Sequence, residues 1–168
     1  MKNRIVFTTL LLAATLFSLA ILGCKKEKTD QVVDKPFRLE SNLLMDKQLF
    51  TNRLEGRNSK NVFDILEVNR KNDLLEIKVK GGSNAEAFQF VWDGRVQESF
   101  PMGIQLMLLH DSSGGAFDEE KELTVLVNLQ RIIGDRNQAD DYHFHVINGS
   151  KIQTAVLNPD GTTTTKAK

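Results

Sequence analysis

The chain has 168 residues, with 22 basic and 22 acidic side chains and three histidines, so its formal charge is zero at neutral pH. Nucleic-acid binders carry a strongly basic face; here the two charge signs are interleaved as on an ordinary solvated surface, which excludes nucleic acid as a partner class. A lone cysteine, Cys24, leaves no intramolecular disulfide framework and no paired-cysteine metal site.

The N-terminus carries the most specific pattern. Met1-Lys2-Asn3-Arg4 is a short basic head, Ile5 to Leu22 is an apolar stretch without a charge, and Gly23 precedes Cys24. A basic head, an apolar stretch and a small residue at the cut site make a secretory signal. With cysteine directly after Gly23, the segment resembles a bacterial lipoprotein signal with its lipobox. The resemblance implies cleavage before Cys24 and acylation of its thiol and new amino group, which makes Cys24 the expected lipid-attachment residue. The competing reading is an uncleaved transmembrane helix, since this stretch is at the lower end of what spans a bilayer. Lys2 and Arg4 before it and Lys25, Lys26 and Lys28 after it leave the positive-inside rule undecided. The coincidence of the sole cysteine with a Gly-Cys junction favours the lipoprotein.

Two or more acyl chains anchor stably where one binds only marginally, and lipoproteins of this kind carry two or three. The membrane is therefore the first expected partner. In double-membrane bacteria, inner-membrane retention of such proteins usually depends on an aspartate directly after the cysteine. Lys25 stands there instead, which implies the outer membrane of a Gram-negative cell envelope. Cleavage removes Lys2 and Arg4 and no acidic residue, leaving 20 basic and 22 acidic side chains and a formal charge of −2. With the Cys24 thiol taken by lipid, the oxidising envelope offers the folded part neither disulfide staples nor a cysteine nucleophile. Residues 1–23 thus read as signal peptide, 24–36 as lipidated cysteine and hydrophilic tether, 37–161 as one β-rich domain and 162–168 as a disordered tail. A body of about 130 residues can bury a sufficient core without staples.

Along the body, residues 37–54 are ambiguous: Leu39, Leu43, Leu44, Leu49 and Leu54 fit one amphipathic helix or an extra strand pair, with the balance slightly towards strands. From Val62 the period is two. Val62–Arg70 predicts a strand joined through Lys71-Asn72-Asp73 to the clearest one, in which Leu75, Ile77 and Val79 alternate with Glu76, Lys78 and Lys80. Gly81-Gly82 reads as a turn or bulge. Phe88, Phe90 and Trp92 share one strand face, and Asp93-Gly94 predicts a two-residue hairpin into Arg95–Phe100. Gly103–His110 has apolar residues on both faces and is expected to be buried on both sides. After the polar stretch Asp111–Glu120, strands follow at Leu123–Leu129 and Tyr142–Val146. Asn148-Gly149 predicts a hairpin returning along Lys151–Leu157. About seven short strands predict an all-β domain, an antiparallel β-sandwich or barrel.

No catalytic motif emerges. His143 and His145 lie two apart on a strand and point to the same side, with Cβ atoms roughly 6.5–7 Å apart. They could bind a metal if His110 or Asp111 supplied a third ligand. The simpler expectation is that they face solvent while Tyr142, Phe144 and Val146 face the core, so no metal or cofactor is assigned. Asp111–Glu120 is rich in oxygen donors but has Ala116 where a helix-loop-helix calcium site needs glycine. His110, Asp111 and Ser112 or Ser113 cannot form a triad as sequence neighbours at a strand end. Asn148-Gly149-Ser150 fits the N-glycosylation triplet, which a bacterial lipoprotein rarely uses.

The run Gly81-Gly82-Ser83…Phe88…Trp92-Asp93-Gly94, followed by Leu106-Met107-Leu108-Leu109-His110-Asp111, is similar to a group of small envelope lipoproteins. These carry a Gly-Gly-Cys-x-x-His-x-Phe segment and a later Leu-x-His-Asp. Ser83 stands in place of that cysteine. The resemblance implies a β-rich lipoprotein and no activity. The expected role is a non-catalytic binding or structural accessory with an envelope protein or glycan as partner, Asp111–Glu120 being the favoured contact surface. The alternative is an envelope enzyme or metal-binding protein built on His110, His143 and His145.

Overall fold

The computed structural model describes residues 36–57, 61–135 and 137–167. The apolar N-terminal stretch and Cys24 lie outside the described residues. Among the described residues no helix is long and apolar enough to cross a membrane.

The described chain is mostly β-sheet. Seven strands form one sheet: β1 (Phe37–Glu40), β2 (Leu43–Met45), β5 (Phe88–Gln97), β6 (Met102–His110), β8 (Tyr142–Asn148), β9 (Gln153–Leu157) and β10 (Thr163–Ala167), side by side in that order. Three form a second: β3 (Asp64–Lys71), β4 (Leu74–Gly82) and β7 (Asp118–Asn128). Helix α1 spans Lys47–Glu55, and one helical turn, α2, spans Gln130–Ile133. The strands form open sheets rather than a closed barrel.

The period-two pattern decides which side chains meet. Leu75, Ile77 and Val79 of β4, Val68 of β3 and Val125 and Val127 of β7 are buried in one cluster with Phe88, Phe90, Ile104, Leu106, Leu108, Phe144 and Val146 of the larger sheet. Each such side chain contributes about 1.5–3 kcal/mol on leaving water, so this shared core is what holds the two sheets together. The opposite face of the small sheet is charged. Lys71 pairs with Glu76, Lys78 with Glu122 at 2.7 Å and Lys80 with Glu120 at 2.6 Å. These exposed cross-strand pairs fix register more than they add stability.

The larger sheet is covered on its other face too. Asp46 caps α1 by accepting the Leu49 N–H at 2.8 Å, and Phe50 comes down on Val91, Met107 and Ile147. Residues 37–54 therefore use both readings that the leucine spacing allowed, a short strand pair and then a helix. Burial of β6 on two sides follows directly: Ile104, Leu106 and Leu108 face the shared core and Met107 faces α1.

Several expectations are corrected. The larger sheet is mixed rather than antiparallel, because β2 runs parallel to β5 and β6 parallel to β8. Asp93-Gly94 makes no hairpin: β5 continues through it as a bulge, its pairing with β6 shifting between Trp92↔Leu106 and Val96↔Ile104. Gly94 takes φ 81° there; the Trp92 indole N–H donates to Arg95 O at 3.0 Å and Asp93 accepts the Arg95 N–H at 3.0 Å. The turn lies four residues later, at Glu98–Pro101. Thr163–Ala167, expected as part of an unpaired tail, is β10 and pairs antiparallel with β9 from Thr163↔Leu157 to Ala167↔Gln153. Gly81-Gly82 does form a bulge, with the β4–β7 register shifting between Lys80 and Gly82.

Candidate functional site

The constellation with the most polar chemistry surrounds His110 at the end of β6. The bulge at Gly81-Gly82 turns Ser83 inward. Its backbone N–H donates to His110 Nε2 at 3.2 Å, and its hydroxyl lies 3.2 Å from the same nitrogen. An accepting Nε2 carries no proton, so the neutral ring holds its proton on Nδ1. That Nδ1 is buried and has no hydrogen-bond partner among the described residues. Phe88 and Phe117 meet the imidazole edge-to-face, with centroids 4.9 Å and 5.2 Å away. A void of about 40 Å³, room for a water molecule, is lined by Arg53, Asn61, Phe63, Leu109, His110, Gly149 and Ser150. Burial pushes the His110 pKa below its ordinary value, more strongly than the neighbouring Asp111 carboxylate raises it.

Among the described residues this arrangement does not assemble a serine–histidine–acid triad. A serine activated by histidine needs a group on the far ring nitrogen to orient the base, and Nδ1 has none among the described residues. Ser83 is itself buried, at 8% exposure. Asp111 is turned away: it accepts from the Ser113 N–H at 2.9 Å and from the Ser113 hydroxyl at 2.7 Å. Those two bonds hold the Asp111 carboxyl below the usual range.

The stretch favoured as a contact surface is shorter and more ordered than its sequence indicates. Asp118–Glu120 already belongs to β7, and a 3₁₀ turn runs over Ser112–Gly114. Asn84 donates to Gly114 O at 2.8 Å, and the Asp111 N–H donates to Ala87 O at 2.7 Å. The Gly114 Cα approaches Ala87 so closely that an added Cβ would stand 2.7 Å from its methyl. Residues 111–116 are exposed on the outer side. The oxygen donors that suggested calcium are dispersed, with Asp118 accepting the Glu120 N–H and Glu120 paired to Lys80.

The histidines do not assemble. His143 and His145 share a face, with ring centroids 6.3 Å apart. They stand beside Gly103 and Gln105 in the parallel register, whereas His110 lies past the end of that pairing. His143 Nδ1 is 3.2 Å from Asn158 Oδ1. Burial first, then the neighbouring His143 and Lys166, pushes the His145 pKa down. Among the described residues no group of three or more histidine, cysteine, aspartate or glutamate side chains is placed to hold a metal.

A second polar centre was invisible in the sequence. Asn148, fully buried, donates to Phe63 O at 2.7 Å and to Gln153 Oε1 at 2.9 Å, and accepts from the Ser150 N–H and hydroxyl. Gln153 in turn accepts the Ile65 N–H and donates to Ile65 O, both at 2.9 Å. Two side-chain amides thus complete the backbone pairing where β3 begins, clamping it to the β8–β9 connection. Burial also removes Asn148 as a glycosylation acceptor in the folded chain.

No protein-family model matches the chain, and neither the curated proteins nor the solved structures contain a significant match.

Proposed function

We propose that this is a lipid-anchored protein of the Gram-negative cell envelope, acylated on Cys24 and held at the outer membrane. Its β-sandwich body would act by binding or as a structural accessory rather than by catalysis. The observation that carries the reading is the Gly23-Cys24 junction behind a basic head and an uncharged apolar stretch, at the only cysteine of the chain. Two sheets sharing one core support the sandwich. The unoriented His110 and dispersed carboxylates support a role without bond-making chemistry. The outer surface of residues 111–116, ordered from beneath by Asn84 and Ala87, is the favoured docking surface for an envelope protein or glycan, because a preordered loop loses little entropy on binding.

The test is intact-mass analysis and membrane sedimentation of the chain and of Cys24→Ser. The expected result is a mature protein starting at Cys24 and carrying fatty acid, with the variant unacylated and released from the membrane. A mature protein that starts at Met1, or that carries no fatty acid, overturns the reading.

A further inference from the structure

We infer that His143 and His145 form a surface site for a divalent first-row transition ion, bound most tightly as copper(II), with Asn158 positioning the first ring. The inference stands independently of the lipid anchor.

Successive side chains of β8 point to opposite faces. Phe144 and Val146 enter the shared core, while Ile147 lies under Phe50 of α1. His143 and His145 share the face of Ile147, where Phe50 reaches Val91, Met107 and Ile147. Beside that covered row lies an open cleft of about 280 Å³, lined by His143, His145, Val156, Asn158, Thr164 and Lys166. Val156 stands in register with His145 on one side and Thr164 on the other. Among these side chains, only the two imidazoles offer a nitrogen lone pair when neutral, since lysine is a cation and the amide nitrogen only donates.

A chain of hydrogen bonds through the β9–β10 turn sets the tautomer of His143. The Thr162 hydroxyl donates to Asp160 at 2.7 Å, and its oxygen accepts the Asn158 side-chain N–H at 3.0 Å. With the Thr162 proton so committed, Asn158 turns its amide nitrogen to Thr162 and its Oδ1 to His143. That oxygen can only accept, so across 3.2 Å it takes the His143 Nδ1–H. The lone pair of the neutral ring is left on Nε2. Metal-ligating histidines characteristically donate their other N–H to an oxygen in this way, which fixes ring and tautomer. His145 makes no side-chain hydrogen bond among the described residues, so its lone pair is unclaimed too.

The spacing fits one ion. With nitrogen–metal bonds of about 2.0–2.1 Å, an ion can join imidazoles whose centroids are up to about 6.5 Å apart. These stand 6.3 Å apart, their planes inclined by 66°. Side-chain rotation that closes them by about 1 Å brings the ligand angle to tetrahedral. Water completes the shell, so no third protein ligand is required. Two imidazoles with water oxygens suit copper(II), which also heads the order of divalent affinities for such sites. Lys166 opposes the ion, because its ammonium shares the cleft and like charges repel.

The experiment is isothermal titration of the full chain, in detergent and stripped with a chelator, with Cu²⁺ alone and with Zn²⁺ alone near neutral pH. The expected result is saturable binding, tighter for copper, with paramagnetic resonance showing coupling to two imidazole nitrogens. His143→Gln and His145→Gln should each weaken binding by at least about tenfold, His110→Gln should leave it unchanged, and Lys166→Gln should tighten it. Asn158→Leu should weaken it by about tenfold, whereas Asn158→Asp, which keeps an oxygen for the Nδ1–H, should bind at least as tightly as wild type. No saturable binding, or an affinity that survives both histidine substitutions, overturns the site. Equal losses for Asn158→Leu and Asn158→Asp overturn the positioning role. The resonance spectrum needs only wild type, so a spectrum without paired imidazole nitrogens overturns the site even where a variant does not fold.

Discussion

Replacing Asn148 tests the buried amide clamp. Asn148→Ala removes the side-chain partners of the Phe63 carbonyl and the Ser150 N–H in a buried part of the body. At about 1–3 kcal/mol for each orphaned buried group, and with a small void added, the expected loss is about 3–5 kcal/mol. That is a large share of the roughly 5–15 kcal/mol that holds a typical domain together. Asn148→Asp is the sharper probe. It keeps an oxygen for Ser150 but sets a second oxygen against Phe63 O and Gln153 Oε1, where the amide had donated. The aspartate variant should therefore be less stable than the alanine variant at neutral pH. Their difference should shrink as pH falls into the carboxyl range, where a protonated acid regains one donor. Urea unfolding followed by Trp92 fluorescence reads both, and comparing the variants with each other at every pH cancels titrations elsewhere. A loss below about 1 kcal/mol for alanine, or an aspartate variant no worse than alanine at neutral pH, refutes the clamp.

Gly149→Ala should cost about 1–3 kcal/mol by overpacking, because the new Cβ would stand 2.8 Å from the Leu108 carbonyl and 2.3 Å from Leu109 Cδ2. Gly161→Ala meets no atom within 4 Å and bears only the strain of φ 82°, about 1–2 kcal/mol; urea midpoints should show the smaller loss for Gly161. Stability should also fall as pH drops below the ordinary histidine value near 6.5. The folded-state pKa values of His110 and His145 are lowered, so the unfolded chain takes up protons first and acid favours unfolding. His110→Gln retains an acceptor for the Ser83 N–H and should make that acid dependence shallower in urea titrations between pH 7 and 5; an unchanged slope would count against a buried neutral imidazole.

The strands were legible wherever one face is buried. Leu75, Ile77 and Val79, or Tyr142, Phe144 and Val146, alternate because water lies on one side and the shared core on the other. β10 gave no such signal: Thr163–Ala167 is exposed at every residue, and backbone pairing to β9 leaves no trace in side-chain polarity. Asp93-Gly94 carries the composition of a turn, but Gly94 and Asp93 serve a bulge that the Trp92 indole stabilises. A glycine with positive φ is common to both. Asn148-Gly149 marked a chain reversal correctly, with the return strand starting at Gln153. Gly149 is required there by its closeness to Leu108 rather than by its φ. The meeting of Ser83 with His110 joins the two parts of the motif that resembled envelope lipoproteins. The amide clamp joins residues 85 and 88 positions apart, a pairing that no local pattern encodes.

The parallel pairing of β6 with β8 has a consequence for how the chain comes to be folded. Between those neighbours the polypeptide leaves for the small sheet as β7 and comes back, and β2 likewise waits for β5 while β3 and β4 are laid down elsewhere. No run of consecutive strands completes either sheet, so synthesis order cannot be assembly order. Contacts between distant segments bring slow, all-or-none closure, and a nick within residues 112–116 would yield two halves, each missing the partners that finish it. If the chain crosses a membrane as an extended thread, as the function proposed above requires, such reluctance to close early keeps it fit for passage.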